Sequence, residues 1–220
     1  MGSCPTCLTD PAALLVVDAS TVINVNATGC GRRIIEALPN DVVIVNVVPQ
    51  ELEGGRHRER QDADLLNDLV RSKLVEIVSL DQTAEEHFEE LVIGDAKTTL
   101  DDGEGATIAY AASQNGVAVI DESKARRICA QRFPKLQLAC TVDIFRHPEV
   151  RKALDNDGLA DAVFNALYHG RMRVFPDHVD WVMALIGIDR AEQCTSLPRS
   201  VRVARRAAAT VASAKSTRQG

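Results

Sequence analysis

Leu14-Leu15-Val16-Val17-Asp18-Ala19-Ser20 is the stretch whose reading decides the fold. Four apolar residues in a row, two of them β-branched, read as a strand buried on both faces, the habit of a parallel sheet covered by helices. An acid closes the run, and Ser20 and Thr21 follow it. In an open parallel sheet ligands bind beyond the carboxyl ends of the strands, so Asp18 stands where chemistry is usually done. A lone aspartate there also suits the cap of the following helix. The stretch carries more weight because its pattern recurs: Val117-Ala118-Val119-Ile120 runs directly into Asp121-Glu122.

Outward from these two runs, Val42 to Val45, Leu74 to Val78 and Leu136 to Cys140 complete a set of five short strands. Helical spacing separates them. Ile34, Ile35 and Leu38 form a short apolar face, and Pro49 opens a helix that carries Glu51 and Glu53 and is expected to break at Gly54-Gly55. Asp62 to Arg71 places Leu65, Leu66, Leu69 and Val70 on one side. Thr83 with Glu86 has the capping-box spacing that would open a helix burying Phe88, Leu91 and Val92. Ala106 to Ala112 and Lys124 to Phe133 supply two more helices. Strands alternating with helices in this way specify an α/β fold, a three-layer sandwich around a mainly parallel central sheet.

From Pro148 the pattern turns all-helical, with apolar faces over Leu159 to Leu167 and Pro176 to Ile188. A segment of that size buries too little to stand alone, so it is expected as a C-terminal helical appendage packed on the α/β body. The divisions implied are an N-terminal tail over 1–13, the α/β domain over 14–146, the helical extension over 147–190 and a basic tail over 191–220. Phe175 and Trp181 suit either internal packing or a contact with a partner.

The chain has 220 residues, 45% of them hydrophobic, enough for a core without staples. Its net charge is −6, but residues 199–220 hold six of the 25 basic residues and none of the 31 acidic ones, so residues 1–198 carry −12. A body that acidic needs divalent cations between its carboxylates and any phosphate it handles. No apolar run approaches the ~18 residues of a membrane span, and no secretory signal is present, so the expectation is a cytoplasmic protein with no membrane partner. Six scattered cysteines fit reduced thiols. Cys4-Pro5-Thr6-Cys7 has zinc-hook spacing, and a complete site there needs ligands from distant parts of the chain.

The strands and the turns after them gather acids: Asp18, Glu51, Asp102, Glu104, Asp121 and Glu122. On a parallel sheet these rise toward one rim, where like charges destabilise one another unless a cation lies among them. Oxygen-only ligation suits Mg²⁺ and Mn²⁺, which serve phosphodiester hydrolysis. A Gly-x-Ser-x-Gly elbow and a Cys/His nucleophile pairing are both missing. A receiver domain also places acids at strand ends, but Glu51 and Glu104 do not fit one.

The segments LLVVDASTVIN, VVPQELEGG and LDDGEGATIAYAASQNGVAVIDESKARR resemble those of PIN domains, the metal-dependent ribonuclease fold that includes VapC-type toxins, from Leu14 to Asp143. The resemblance implies Mg²⁺- or Mn²⁺-dependent hydrolysis of RNA phosphodiesters that leaves a 5′-phosphate. It assigns Asp18, Glu51, Glu104 and Asp121 to the four family acids, with Asp18, Glu104 and Asp121 holding the metal and Ser20 as the hydroxyl that follows the first acid. Glu53, Asp102 and Glu122 are the alternatives to those acids. Arg56, Arg58, Lys124 and Arg126 are the cations placed to grip flanking phosphates, and His57 is read as surface. As partners the resemblance brings RNA, an antitoxin protein and a second copy of the chain. A catalytically inactive PIN-like module that binds RNA or protein is the competing function.

Overall fold

The computed structural model describes residues 7–56 and 61–198. Its elements in chain order are β1 (Leu15–Val17), α1 (Ala19–Ala27), α2 (Gly31–Ala37), β2 (Val42–Val45), α3 (Val48–Arg56), α4 (Asp62–Arg71) and β3 (Glu76–Val78). These are followed by α5 (Gln82–Val92), α6 (Asp102–Ser113), β4 (Val117–Val119), α7 (Ser123–Arg132) and β5 (Gln137–Ala139). The remainder is helical: α8 (Thr141–Arg146), α9 (Pro148–Tyr168), α10 (Pro176–Ile186) and α11 (Ile188–Ala191).

All pairings within the five-stranded sheet are parallel, in the order β3-β2-β1-β4-β5. The strand order reverses at β1, which lies between β2 and β4, so the crevice beyond the carboxyl ends of β1 and β4 is the expected binding position. The central strands are apolar throughout because both of their faces are covered. Side chains alternate between two core clusters: Leu15, Val17, Val42, Ile44, Val117 and Val119 enter one, while Val16, Val43, Val45, Ala118 and Ile120 enter the other. The second cluster is closed by α5, α6 and α7 through Leu91, Ile108, Ala109 and Ile128. The first is closed by α1, α2 and α4, and also by α8, α9 and α10 through Phe145, Leu159, Val163 and Val182. The three layers are thus helix, sheet and helix, and the C-terminal helices share the core of one face.

Two local expectations are revised. Gly54 and Gly55 do not end α3, which runs on to Arg56; an interior glycine costs about 1 kcal/mol, which weakens a helix without forbidding it. The cap of α5 is Asp81, whose Oδ1 accepts from Ala84 N at 2.8 Å, in place of the capping box at Thr83. Within α9 the helix is interrupted at Asp155 (φ 56°, ψ −176°), whose side chain accepts from Gly158 N and starts the second half, which holds the expected apolar face over Leu159 to Leu167. Of the expected basic tail over 191–220, residues 191–198 pack on the body, with Ala191, Cys194 and Leu197 buried, while residues 199–220 lie outside the described residues, as does Cys4.

The start of the described chain is tied down. Leu8 is buried, Gln137 Nε2 donates to Cys7 O at 2.5 Å, and Asn40 Nδ2 donates to both Asp10 O and Ala13 O. Phe175 and Trp181 both pack within the chain, under the Arg126 guanidinium (4.7 Å) and the Arg146 guanidinium (5.7 Å). Among the described residues no helix is long and apolar enough to cross a membrane.

Phe145 is fully buried on α8, where the body meets the C-terminal helices. Phe145→Ala leaves a cavity there and is expected to cost about 3–5 kcal/mol. A urea unfolding curve measures it, with one cooperative transition covering both parts of the chain.

Candidate active site

The site begins with backbone geometry. At the end of β1, Asp18 has extended backbone angles and caps α1: its Oδ1 accepts from Thr21 N at 2.7 Å, and its Oδ2 accepts from Ser20 Oγ at 2.7 Å. The capping reading of Asp18 therefore holds. Thr21 Oγ1 reaches across to Val119 O at 3.2 Å, joining the first turn of α1 to the end of β4. Two residues beyond β4, Asp121 is bound more heavily. Its Oδ1 accepts from Thr141 N at 2.9 Å, and its Oδ2 accepts from Asn24 Nδ2 at 2.7 Å and Thr141 Oγ1 at 2.5 Å. Asn24 from α1 and Thr141 from the start of α8 were not among the residues chosen from sequence. An amide and a hydroxyl carry no charge pattern that would single them out.

Glu104 arrives on the first turn of α6 and lines a cleft of about 230 Å³ with Ser20, Asn24, Asp121, Glu122, Arg171 and Arg173. Arg171 and Arg173 lie in the strand-like link between α9 and α10, where Met172 and Val174 point into the core. Gly170 lets that link approach, since a Cβ there would stand 2.8 Å from Asn24 Oδ1 and 2.7 Å from Ala166 O. Arg173 Nη1 donates to Ser123 Oγ at 2.7 Å and stands 3.7 Å from Glu122 Oε1. The alternation of basic and apolar residues in this link is visible in the sequence, but its place over the acids is not.

The acids disturb one another. Burial, then the charge of Asp121, pushes the Asp18 carboxyl up to about 7 against the pull of the Thr21 and Ser20 hydrogen bonds. Burial, then the charges of Glu122, Asp18 and Asp101, pushes Glu104 up to about 7, with Lys124 acting in the opposite sense. Asp121 is also raised by burial, opposed by Thr141, Asn24 and Arg126.

The remaining sequence candidates separate. Glu51 is exposed on α3 and accepts from Gly103 N at 2.9 Å, so it sits at the N-terminus of α6 beside Asp101 and Asp102. Gly103 is needed for that approach, because any Cβ there would collide with the Glu51 carboxylate. Asp102 and Glu53 are exposed. Glu122 caps α7, accepting from Lys124 N and Ala125 N, while its other oxygen faces Arg173. Lys124 acts on Glu104 from the same turn. Arg126 points inward and donates to Ala139 O at 2.6 Å and Ile120 O at 3.3 Å, bracing the ends of β4 and β5. Arg58 and His57 lie outside the described residues, and nothing is described of the Arg56 side chain beyond its place at the end of α3.

The donor set fits a hard divalent cation. Asp18, Glu104 and Asp121 offer carboxylate oxygen alone, and each Asp18 oxygen takes one hydrogen bond, leaving it a lone pair to give. A larger cavity of about 660 Å³ lies at the opposite rim, near Leu14, Gly116 and Gln137. Asp10 is the one acid lining it, so size does not mark the chemistry here.

A family model described as a PIN domain matches residues 14–187. That span continues past the α/β body through α9 and α10. No curated protein matches the chain. Among solved structures, the crystal structure of VapBC2 from Rickettsia felis bound to a DNA fragment from their promoter is similar at 20% identity, covering 58% of this chain and 98% of that one with a TM-score of 0.39.

Raised carboxyls set a pH dependence. Asp18 and Glu104 favour their neutral forms in the fold, near pH 7 against about 4 unfolded, so their contribution is complete below about pH 4 and lost as pH rises through 7. In EDTA the melting temperature is expected to fall between about pH 5 and pH 8, and Mn²⁺ to raise it more at the upper value. Asp18→Asn should flatten both trends; differential scanning fluorimetry reads all three.

Proposed function

The chain belongs to the PIN-domain family, and on that premise we propose that it is a divalent-metal-dependent endoribonuclease that hydrolyses RNA phosphodiesters. The observation that carries the reading is the convergence on one cleft of acids far apart in the chain. Asp18 couples to Asp121 and Glu104 couples to Asp18, each raised by burial and by its neighbours. A fold tolerates such a cluster when a cation is there to neutralise it.

Asp18, Glu104 and Asp121 are the residues that would hold Mg²⁺ or Mn²⁺. Such an ion, when bound, lowers the pKa of a coordinated water and offsets negative charge on a phosphodiester. The chain's own groups do the rest. Ser20 and Thr21 fix both oxygens of Asp18, while Thr141 and Asn24 fix both of Asp121, so the metal-facing carboxylates are set before anything binds. Glu51 acts at one remove: its hydrogen bond to Gly103 N steadies the first turn of α6, which carries Glu104. Arg171 and Arg173 line the cleft beside the acids and are placed, with Lys124, to meet the phosphates on either side of the scissile bond. Arg126 supports the rim through Ile120 O and Ala139 O rather than through substrate.

The sequence resemblance to VapC-type toxins makes the toxin half of a toxin–antitoxin pair the biological role that fits this activity. An antitoxin and a second copy of the chain are then the expected protein partners, and the cytoplasm the expected compartment.

Single-stranded RNA incubated with Mn²⁺ is expected to be cut by the wild type, with loss of about 100-fold or more in Asp18→Asn and in Glu104→Gln, the scale of removing a few kcal/mol of charge stabilisation. Circular dichroism checks that both variants fold. Arg173→Ala should instead raise KM several-fold and reduce the salt dependence of binding by about one phosphate contact. Absence of any Mn²⁺-stimulated cleavage by the wild type would overturn the enzyme reading in favour of an inactive binding module.

A further inference from the structure

Next to the acid cleft, but facing away from it, lies a group the nuclease reading does not use. Cys140, Asp143 and His178 each offer a ligand atom, and these three atoms lie within 4.8 Å of one another. Cys140 Sγ stands 3.2 Å from Asp143 Oδ2, and His178 Nε2 stands 3.7 Å from Asp143 Oδ1. A tetrahedral zinc site with bonds of about 2.0–2.3 Å has ligand-to-ligand edges of about 3.3–3.8 Å; the two separations run to different oxygens of Asp143, and the three ligand atoms, within 4.8 Å of one another, would draw in to close around an ion. Cys7 stands outside that group of three but beside it, its thiol hydrogen-bonding Asp143. That cysteine is held in position from both directions: Gln137 Nε2 donates to its carbonyl, and its own Sγ lies 3.8 Å from Leu138 O.

We propose that Cys7, Cys140, Asp143 and His178 form a structural zinc site that pins the N-terminal segment to the start of α8 and to α10. Two sulfurs, an imidazole and a carboxylate select a borderline-soft ion such as Zn²⁺, where the oxygen-only rim selects Mg²⁺ or Mn²⁺. The sequence supplies an independent sign, because Cys7 ends the Cys-x-x-Cys of Cys4 to Cys7, a spacing used for zinc, although Cys4 is outside the described residues. A cysteine at the cap of α8 is a second sign, since serine, threonine or asparagine is the ordinary choice there. Charge is offset only in part. Two thiolates and a carboxylate around Zn²⁺ leave one negative charge; Arg146, whose Nη1 is 3.0 Å from His178 Nδ1, and Arg126, which acts on both Cys7 and His178, face it, along with Asp177 and Asp121. Coordination through His178 Nε2 leaves Nδ1 protonated, so the Arg146 contact lengthens when the ion binds.

The consequence is mechanical. Cys140 is the residue before Thr141, which holds both oxygens of Asp121. An ion at Cys140 fixes the turn that aims Asp121 into the nuclease cleft, although the two sites take different metals.

The experiment is elemental analysis of the untagged full chain, purified without chelator and dialysed. One equivalent of zinc per chain is expected, and it should persist in Asp18→Asn, which empties the other site. Cys7→Ser and His178→Gln should each lower the retained zinc severalfold, and Co²⁺ in place of zinc should give the visible thiolate charge-transfer bands of tetrahedral sulfur ligation. Cys140→Ser strikes the buried cap and is read only if its circular dichroism is that of the wild type; the wild-type stoichiometry and the other two variants decide without it. Wild-type protein without bound zinc that takes up none on titration, or full zinc content in both Cys7→Ser and His178→Gln, would overturn the proposal and leave a metal-free hydrogen-bond network. Neither result bears on cleavage of RNA, so this site and the nuclease reading stand or fall separately.

Discussion

Two carboxylates at the ends of neighbouring parallel strands cannot both be charged, buried and close without help, and the rest of this molecule is arranged around that constraint. Strands β1 and β4 are paired in register, Val17 opposite Val119, so Asp18 and Asp121 follow neighbouring strand ends, one residue and two residues beyond that pair. Adjacent strands stand about 4.8 Å apart, a separation at which two bare charges repel strongly in a low-dielectric setting. Donors surround both groups: Ser20 and the first turn of α1 for Asp18, Asn24 and Thr141 for Asp121. Hydrogen bonds to the charged form pull each carboxyl down, burial pushes both up, the charge of Asp121 adds to the rise at Asp18, and the upward push wins.

That balance explains why elements remote in sequence meet at this rim. α1 leaves Asp18 and carries Asn24 one face away, back toward Asp121. The turn after β5 brings Thr141 to the same carboxylate from the other side. α6 adds Glu104, its first turn steadied by Glu51 through Gly103 N. The C-terminal helices complete the set. They bury their apolar faces in the core shared with α1, α2 and α4, and in doing so lay the 170–175 link across the cleft. Arginines thereby stand over a body whose charge is otherwise strongly negative, which is what a polyanionic substrate needs at the point of contact.

The proposed sites would also separate metals by ligand chemistry. Oxygen donors face the cleft, while sulfur and imidazole gather behind Asp121, one residue along the chain from Thr141. A hard ion and a borderline-soft ion would then occupy sites that share a turn without sharing a ligand. The stability of that turn bears on the acidic rim because Thr141 has no freedom apart from its neighbour Cys140.

Residue order alone was enough for the sheet. Val-rich runs of three or four residues, each buried on both faces, admit few arrangements, and the strands found at Leu15–Val17, Val42–Val45 and Val117–Val119 lie within the runs read from sequence. The acids at the ends of β1 and β4 were legible for the same reason, since strand direction dictates which rim they reach. Local signals were less secure where two capping residues competed, as Asp81 and Thr83 did, or where glycines weakened a helix without ending it. Only the tertiary structure could place Arg171 and Arg173 over Glu104, Asn24 and Thr141 against Asp121, or Cys7 beside Asp143, because those meetings depend on how the C-terminal helices and the N-terminal segment pack on the sheet. Period and composition encode which face of an element is buried; they do not encode which distant element will cover it.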